Sequence, residues 1–172
     1  MRARLSTVAH FTLLSIVSVA LFSACAEKQK VAAAAPKRAD PDGLGVVIAE
    51  PTVHVAAGTS CGDTVTQGAA ERFKSATAGA LTKAGFAIVT DEKEQAFTAQ
   101  LDLEIDYCSD AGIVSGTTAL ELKRKAGSSV WRGQAVGDLA RGETASSTVS
   151  ELVEGMLFDP RVIKATKEAR SN

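Results

Sequence analysis

The sequence predicts an α+β fold: a two-layer sandwich whose mainly antiparallel sheet carries helices on one face, in the order β-α-β-β-β-β-α. Three observations predict it. From Phe97 to Tyr107, Phe97, Ala99, Leu101, Leu103, Ile105 and Tyr107 alternate with Thr98, Gln100, Asp102, Glu104 and Asp106. Such period-2 alternation marks a strand with one buried and one wet face, as in an antiparallel sheet covered on a single side. Upstream, Val65, Ala69, Phe73, Thr77, Ala80, Leu81 and Ala84 share one helical face, and Gly85 stands where a left-handed C-terminal cap is needed. Downstream, Val149, Leu152, Val153 and Met156 share a second helical face. Asp159-Pro160 then reads as N-cap and first-turn proline of a final short helix, 160–169.

The remaining elements follow in order. Leu44 to Val55 is β-branched and extended, interrupted by Pro51, which within a strand marks an edge or a bulge. The loop Ala57-Gly-Thr-Ser-Cys-Gly-Asp63 leads into the first helix, for which Asp63 or Thr64 is the expected cap; Glu71, Lys74 and Lys83 face outward. Phe86 to Thr90 reads as a short strand and Asp91 to Gln95 as a charged turn. After the long strand, Ser115 to Lys125 sets Thr118, Leu120 and Leu122 against Glu121 and Lys123, and Ala126-Gly-Ser-Ser129 turns into Val130 to Val136. The four strands after the first helix are expected to form a meander. Alanine supplies much of the apolar content and aromatics only 5% of residues, so the core leans on Phe73, Leu81, Phe86, Phe97, Leu101, Leu103, Trp131, Leu152 and Met156.

Two segments of different character precede this domain. Arg2 and Arg4 lead into an apolar stretch from Phe11 to Phe22, and small residues Ser23 and Ala24 precede Cys25, the layout of an export signal. Leu21-Phe-Ser-Ala-Cys25 resembles the lipobox of bacterial lipoproteins, with Phe22 in place of the usual aliphatic residue. The resemblance covers residues 1–25. It implies cleavage before Cys25, a diacylglyceryl thioether on its thiol and an N-acyl group, and several acyl chains anchor a protein durably in a bilayer. A spanning helix needs about 20 apolar residues, and the stretch from Val8 to Ala24 is shorter and broken by Thr12, Ser15 and Ser18. A cleaved, non-lipidated signal fits the hydropathy equally well. Ala26 stands where enterobacterial lipoproteins held at the inner membrane often carry aspartate, so an outer-membrane anchor is expected, with the domain in the periplasm or at the cell surface. The expected organisation is a signal peptide at 1–24, a lipidated N-terminus and flexible tether at 25–42, and one domain at 43–172. Charges, alanines, Pro36 and Pro41 leave the tether nothing to bury. Fully extended, residues 26–42 reach roughly 60 Å.

Charge and cysteine usage narrow the function. Removing 1–24 takes two of the 19 basic residues and none of the 20 acidic ones, leaving 17 − 20 = −3. Without a basic excess, nucleic acid is not an expected partner. Asparagine occurs only at Asn172, so no N-glycosylation sequon exists. With Cys25 committed to lipid, Cys61 and Cys108 remain, and two leftover cysteines in an exported domain most often pair. The alternatives are two separate thiols or a metal site shared with His54. His54 has no Gly-x-Ser-x-Gly elbow and no Cys-x-x-Cys pair to support catalysis or zinc, so no catalytic residue, metal or cofactor is expected. Asp102, Glu104 and Asp106 form an acidic stripe of the kind that is ordinarily solvated. Trp131, Arg132 and Tyr107 are the candidate recognition residues, because Trp, Tyr and Arg are enriched at interfaces; the competing role for Trp131 is core packing.

Gly85-Phe-Ala-Ile-Val after the first helix and Ala96-Phe-Thr-Ala-Gln-Leu-Asp-Leu opening the long strand resemble a group of envelope domains. The group includes the periplasmic domain of the curli-secretion lipoprotein, the lipoprotein activators of penicillin-binding proteins, and the N-terminal domain of the Tol-system propeller protein. The match covers about residues 44–157. It implies a non-enzymatic binding or assembly accessory that docks onto another envelope protein, while the bilayer is met through acylated Cys25. A small-ligand carrier and a hydrolase are the rival expectations. A carrier requires an enclosed apolar pocket between helices and sheet, and a hydrolase requires a cleft with at least two perturbed titratable residues.

Overall fold

The computed structural model describes residues 37–109 and 114–171. Cys25, the signal segment and tether residues 26–36 lie outside the described residues. The elements run β1 (Gly45–Ile48), β2 (Thr52–Val55), α1 (Asp63–Lys83), β3 (Ala87–Ile88), β4 (Gln95–Cys108), β5 (Val114–Arg124), β6 (Ser129–Asp138), α2 (Gly142–Leu157) and α3 (Pro160–Ser171). They build an α+β two-layer sandwich, with one sheet in the order β3-β1-β4-β5-β6 and β2 also paired to β4.

The long alternating strand organises the sheet. β1 pairs parallel with the first half of β4 (Val46 opposite Phe97) and β2 parallel with the second half (Thr52 opposite Asp102, Val55 opposite Ile105). β1 and β2 are therefore two halves of one strand track, broken at 49–51 around Pro51, which has no N–H to give a ladder. On its other side β4 pairs antiparallel with β5, and β5 with β6.

The expected four-strand meander is corrected to three. β3 is two residues long and lies on the far side of β1, parallel to it, with Gly45 opposite Ala87. A chain leaving β1 and β2 through a helix returns parallel to them. β3 takes one flank of β1, and the 14-residue β4, which can pair with β1, β2 and β5, takes the other. The connection 89–94 must then cross the start of β1. It does so over Gly45, where a Cβ would stand 2.0 Å from the Glu94 carbonyl oxygen. Only a residue without a side chain permits that crossing.

α1 begins after Gly62, with no side-chain cap, so neither Asp63 nor Thr64 serves as the expected cap; Asp63 instead places an acid in the first turn, where the helix dipole favours it. Its end is as expected. Gly85 has φ of 101°, the Phe86 N–H donates to the Leu81 carbonyl (3.0 Å) and the Gly85 N–H to Thr82 (3.0 Å), the Schellman arrangement that satisfies orphan carbonyls. Phe73, Leu81, Phe97, Leu101, Leu103, Ile105, Leu120, Leu122, Leu139, Met156 and Leu157 fill the layer between sheet and helices. All nine large residues expected in the core are buried, Trp131 among them. The Phe86 and Phe97 rings meet edge to face at 6.2 Å.

Within the expected tether, Ala39 is buried and its N–H donates to the Leu157 carbonyl (2.6 Å), while Arg170 pairs with Asp40 (3.0 Å) and Asp42 (3.6 Å). Residues 39–42 thus lie against the domain.

Asp159 caps α3: its Oδ1 accepts from the Arg161 N–H at 2.8 Å, and its Oδ2 pairs with the Arg161 guanidinium at 2.8 Å. The Arg161 side chain holds the carboxyl below the usual carboxylate range, against the opposing effect of burial. A depressed carboxylate pKa contributes stability above the unfolded-state value and loses it as pH falls through the folded one. Asp159→Ala is accordingly expected to cost about 1 kcal/mol at pH 7. In urea unfolding at graded pH that difference shrinks below about pH 4. A cost independent of pH would show that the charge on Asp159 contributes nothing.

Candidate functional site

Among the described residues all three helices lie on one face of the sheet and nothing covers the other. Side-chain alternation delivers to it Thr98, Gln100, Asp102 and Glu104 from β4, Thr117, Ala119, Glu121 and Lys123 from β5, and Arg132, Gln134 and Val136 from β6. His54 joins them from β2, opposite Glu104. Charges of both signs are held at fixed positions. Arg132 reaches Asp102 (3.4 Å), and Lys123 donates to Gln100 (2.6 Å) and pairs with Glu121 (3.4 Å). Burial alone would raise the Glu121 carboxyl; hydrogen bonds from Ser129 and Lys123 and the nearby charge of Arg132 outweigh it and hold the group below the usual carboxylate range.

Among the described residues this face carries a depression of about 230 Å³. Ala119, itself buried, forms the floor, and His54, Asp102, Glu104, Arg132 and Gln134 stand around it. A small residue at the centre of long polar ones is what makes the surface concave. Thr117, Ala119 and Gln134 belong to this site and carry no motif. Their outward parity on β5 and β6 is the signal that points to them.

The three candidate recognition residues do not converge. Arg132 lies on the open face. Trp131 points the other way and is only 9% exposed, lying over Gly133 in the helix-covered layer. Tyr107, expected on the buried side of its strand, is 53% exposed because a bulge between Ile105 and Tyr107 shifts the alternation. Trp131 stands opposite Leu122 and Tyr107 opposite Ser115, seven residues along β5. That is roughly 23 Å apart along the strand.

Cys61 and Cys108 form a disulfide with Cα atoms 5.7 Å apart. A strand placed between β2 and β4 would have kept them two strand spacings, roughly 10 Å, apart, too far for a disulfide. Direct pairing of β2 with β4 brings the loop after β2 beside the end of β4, where the Thr59 hydroxyl also donates to the Asp106 carbonyl (2.9 Å). Between helices and sheet the space is filled by the side chains named above. A larger cleft, about 670 Å³, opens at the start of β1 and β4 beside α3, and its rim carries Lys93, Glu94, Arg124 and Glu168. Among the described residues no three His, Cys, Asp or Glu side chains gather as metal ligands, and no helix is long and apolar enough to cross a membrane.

No protein-family model matches the chain, and no curated protein does. Among solved structures it is similar to the PelC dodecamer subunit from Paraburkholderia phytofirmans, at 16% identity over 66% of this chain and 88% of that one, with a TM-score of 0.46. A Xanthomonas campestris protein of the DUF330 family model aligns at 13% identity over 80% of this chain and 94% of that one, TM-score 0.45. Lipoprotein GNA1162 from Neisseria meningitidis aligns at 14% identity over 63% and 96%, TM-score 0.42. Likenesses this distant carry no statement about what this chain does.

Proposed function

We propose that the chain is a lipoprotein of the bacterial envelope, anchored through acylated Cys25 in the outer membrane, whose domain docks onto another envelope protein and catalyses no reaction. The anchoring half of this reading rests on the basic start, apolar stretch and Leu21-Phe-Ser-Ala-Cys25 of the sequence. The docking half rests on one observation: among the described residues the sheet is covered on a single side, so β2, β4, β5 and β6 present one continuous polar surface with a depression at Ala119. Fixed charges of both signs on such a surface select a partner by complementarity and speed its encounter more than they add raw affinity. At about 230 Å³ the depression is smaller than the roughly 300–1,000 Å³ of ordinary small-molecule pockets, which favours a protein surface as its partner.

Reversing one charge towards each end of the face, as Glu104→Lys with Lys123→Glu, leaves the core untouched. In the lipidated chain the pair of changes is expected to reduce recovery of the cross-linked envelope partner at least roughly ten-fold, as juxtaposed like charges disfavour a partner strongly. Equal recovery from the reversed face would remove the face from the interaction. Binding of a small molecule by a domain that captures no envelope protein would replace docking with carriage.

A further inference from the structure

The two edges of the sheet are unlike. One ends in strands of two and four residues, β3 and β2, short enough to offer little to another chain. The other is β6, ten residues without proline, and among the described residues nothing pairs with its outer side. Long unpaired edges are templates for a further strand.

We propose that the outer edge of β6 pairs antiparallel with the β6 of a second copy of this chain, about a two-fold axis through Ala135. The register follows from backbone and charge together. The Leu139 N–H donates to the Val114 carbonyl of β5. The alternation of an antiparallel ladder then turns the N–H and C=O of Arg132, Gln134, Val136 and Asp138 outward. Pairing about Ala135 sets Arg132 opposite the second copy's Asp138 and Gln134 opposite its Val136, each twice. All four residues thereby meet a partner with the same outward parity, making about eight ladder hydrogen bonds. Centres at Gly133, Gln134 or Val136 leave Arg132 facing Gln134, Val136 or Ala140 instead. Only the Ala135 centre joins opposite charges, so a self-complementary partner is singled out from other strands.

Other features of the edge agree. Val136 is 78% exposed, more than any other large apolar residue among those described, and this pairing lays it beside the aliphatic part of Gln134. Arg132 meets its own Asp102 at 3.4 Å, and Asp138, whose Oδ1 accepts from the Ala140 N–H at 2.8 Å, meets its own Arg141 through Oδ2 at 3.5 Å; both ion pairs are long enough to be exchanged for one across the seam. On the helix-covered side the seam is lined by Gly133, Ala135 and Gly137, and the Thr144 and Thr148 side chains of α2 lie about 3.8 Å from where a Gly137 Cβ would stand. Small groups let the two α2 helices approach. The two-fold axis runs perpendicular to the sheet, so both open faces point the same way. The inference does not depend on the docking reading: its readout is a cross-link between two copies of this chain, and Ala135, which carries the cross-link, lies on the helix-covered side, away from the depression that Arg132 and Gln134 border.

Ala135→Cys in the full lipidated chain, oxidised in its own membranes with copper phenanthroline, is expected to give a reducible band of two chains on a non-reducing gel. Adding Arg132→Asp places like charges at both ends of the seam and should lower the yield roughly ten-fold; further adding Asp138→Arg should restore it. If Ala135→Cys fails to fold, co-expressed Gln134→Cys and Val136→Cys chains test the same register at exposed positions. Absence of the two-chain band from a folded variant, a yield indifferent to Arg132→Asp, or a cross-link to a different protein would each overturn the proposal.

Discussion

Replacing both Cys61 and Cys108 with serine is expected to lower the domain's unfolding free energy by about 4 kcal/mol on the chain-entropy account of a cross-link. The two residues are 47 apart in sequence, so the bond removes a large loop-closure entropy from the unfolded chain. In the folded state their Cα atoms are already 5.7 Å apart, inside the ordinary range, so the closed geometry asks little of the backbone. The neighbouring hydrogen bonds, Ala56 N–H to Ile105 (2.9 Å) and Thr59 to Asp106, hold the loop at the same place but lie at the surface. They cannot replace the covalent tie. Against a typical total of about 5–15 kcal/mol, the loss is a large share of stability. Denaturant midpoints of the oxidised chain and the double serine variant measure it. A shift below about 1 kcal/mol would mean that the loop and the end of β4 are held by other contacts.

Trp131→Ala is expected to cost about 3–5 kcal/mol, the range for deleting a buried large aromatic. The indole lies over Gly133, where a Cβ would stand 2.4 Å from its Cη2 and 3.3 Å from a Leu152 methyl. Trp131, Gly133 and Leu152 thus form one packed unit joining β6 to α2. Removing the ring leaves a cavity that the surrounding backbone cannot fill. Arg132→Ala, one residue on and facing solvent, should change stability by no more than about 0.5–1 kcal/mol. The contrast between neighbours is the informative readout. A stable Trp131→Ala domain that had lost its partner would move Trp131 from the core to the interface.

Local chemistry makes most elements legible in the sequence itself. Period-2 alternation from Phe97 onward identifies β4, and Gly85 marks the end of α1 because that position needs a left-handed residue. Pro51 locates the break between β1 and β2. What stays hidden depends on pairing between distant segments. Nothing local to Phe86–Thr90 says that β3 lies outside β1, and with the wrong neighbour the Cys61–Cys108 bond looks geometrically difficult. The site shows the same division. Parity alone turns Asp102 and Glu104 toward water, whereas the meeting of Asp102 with Arg132 and of Glu104 with His54 requires the registers of three neighbouring strand pairs. A single bulge misplaces Tyr107, since one extra residue reverses every side chain beyond it.

A tethered docking domain depends first on its anchor, so the deciding measurement is intact mass spectrometry of the N-terminal peptide from membranes of cells making the full chain. The account predicts a peptide that begins at Cys25 and carries the added mass of a diacylglyceryl thioether and an N-acyl chain. A peptide cut elsewhere, with Cys25 present as a free thiol, would contradict it.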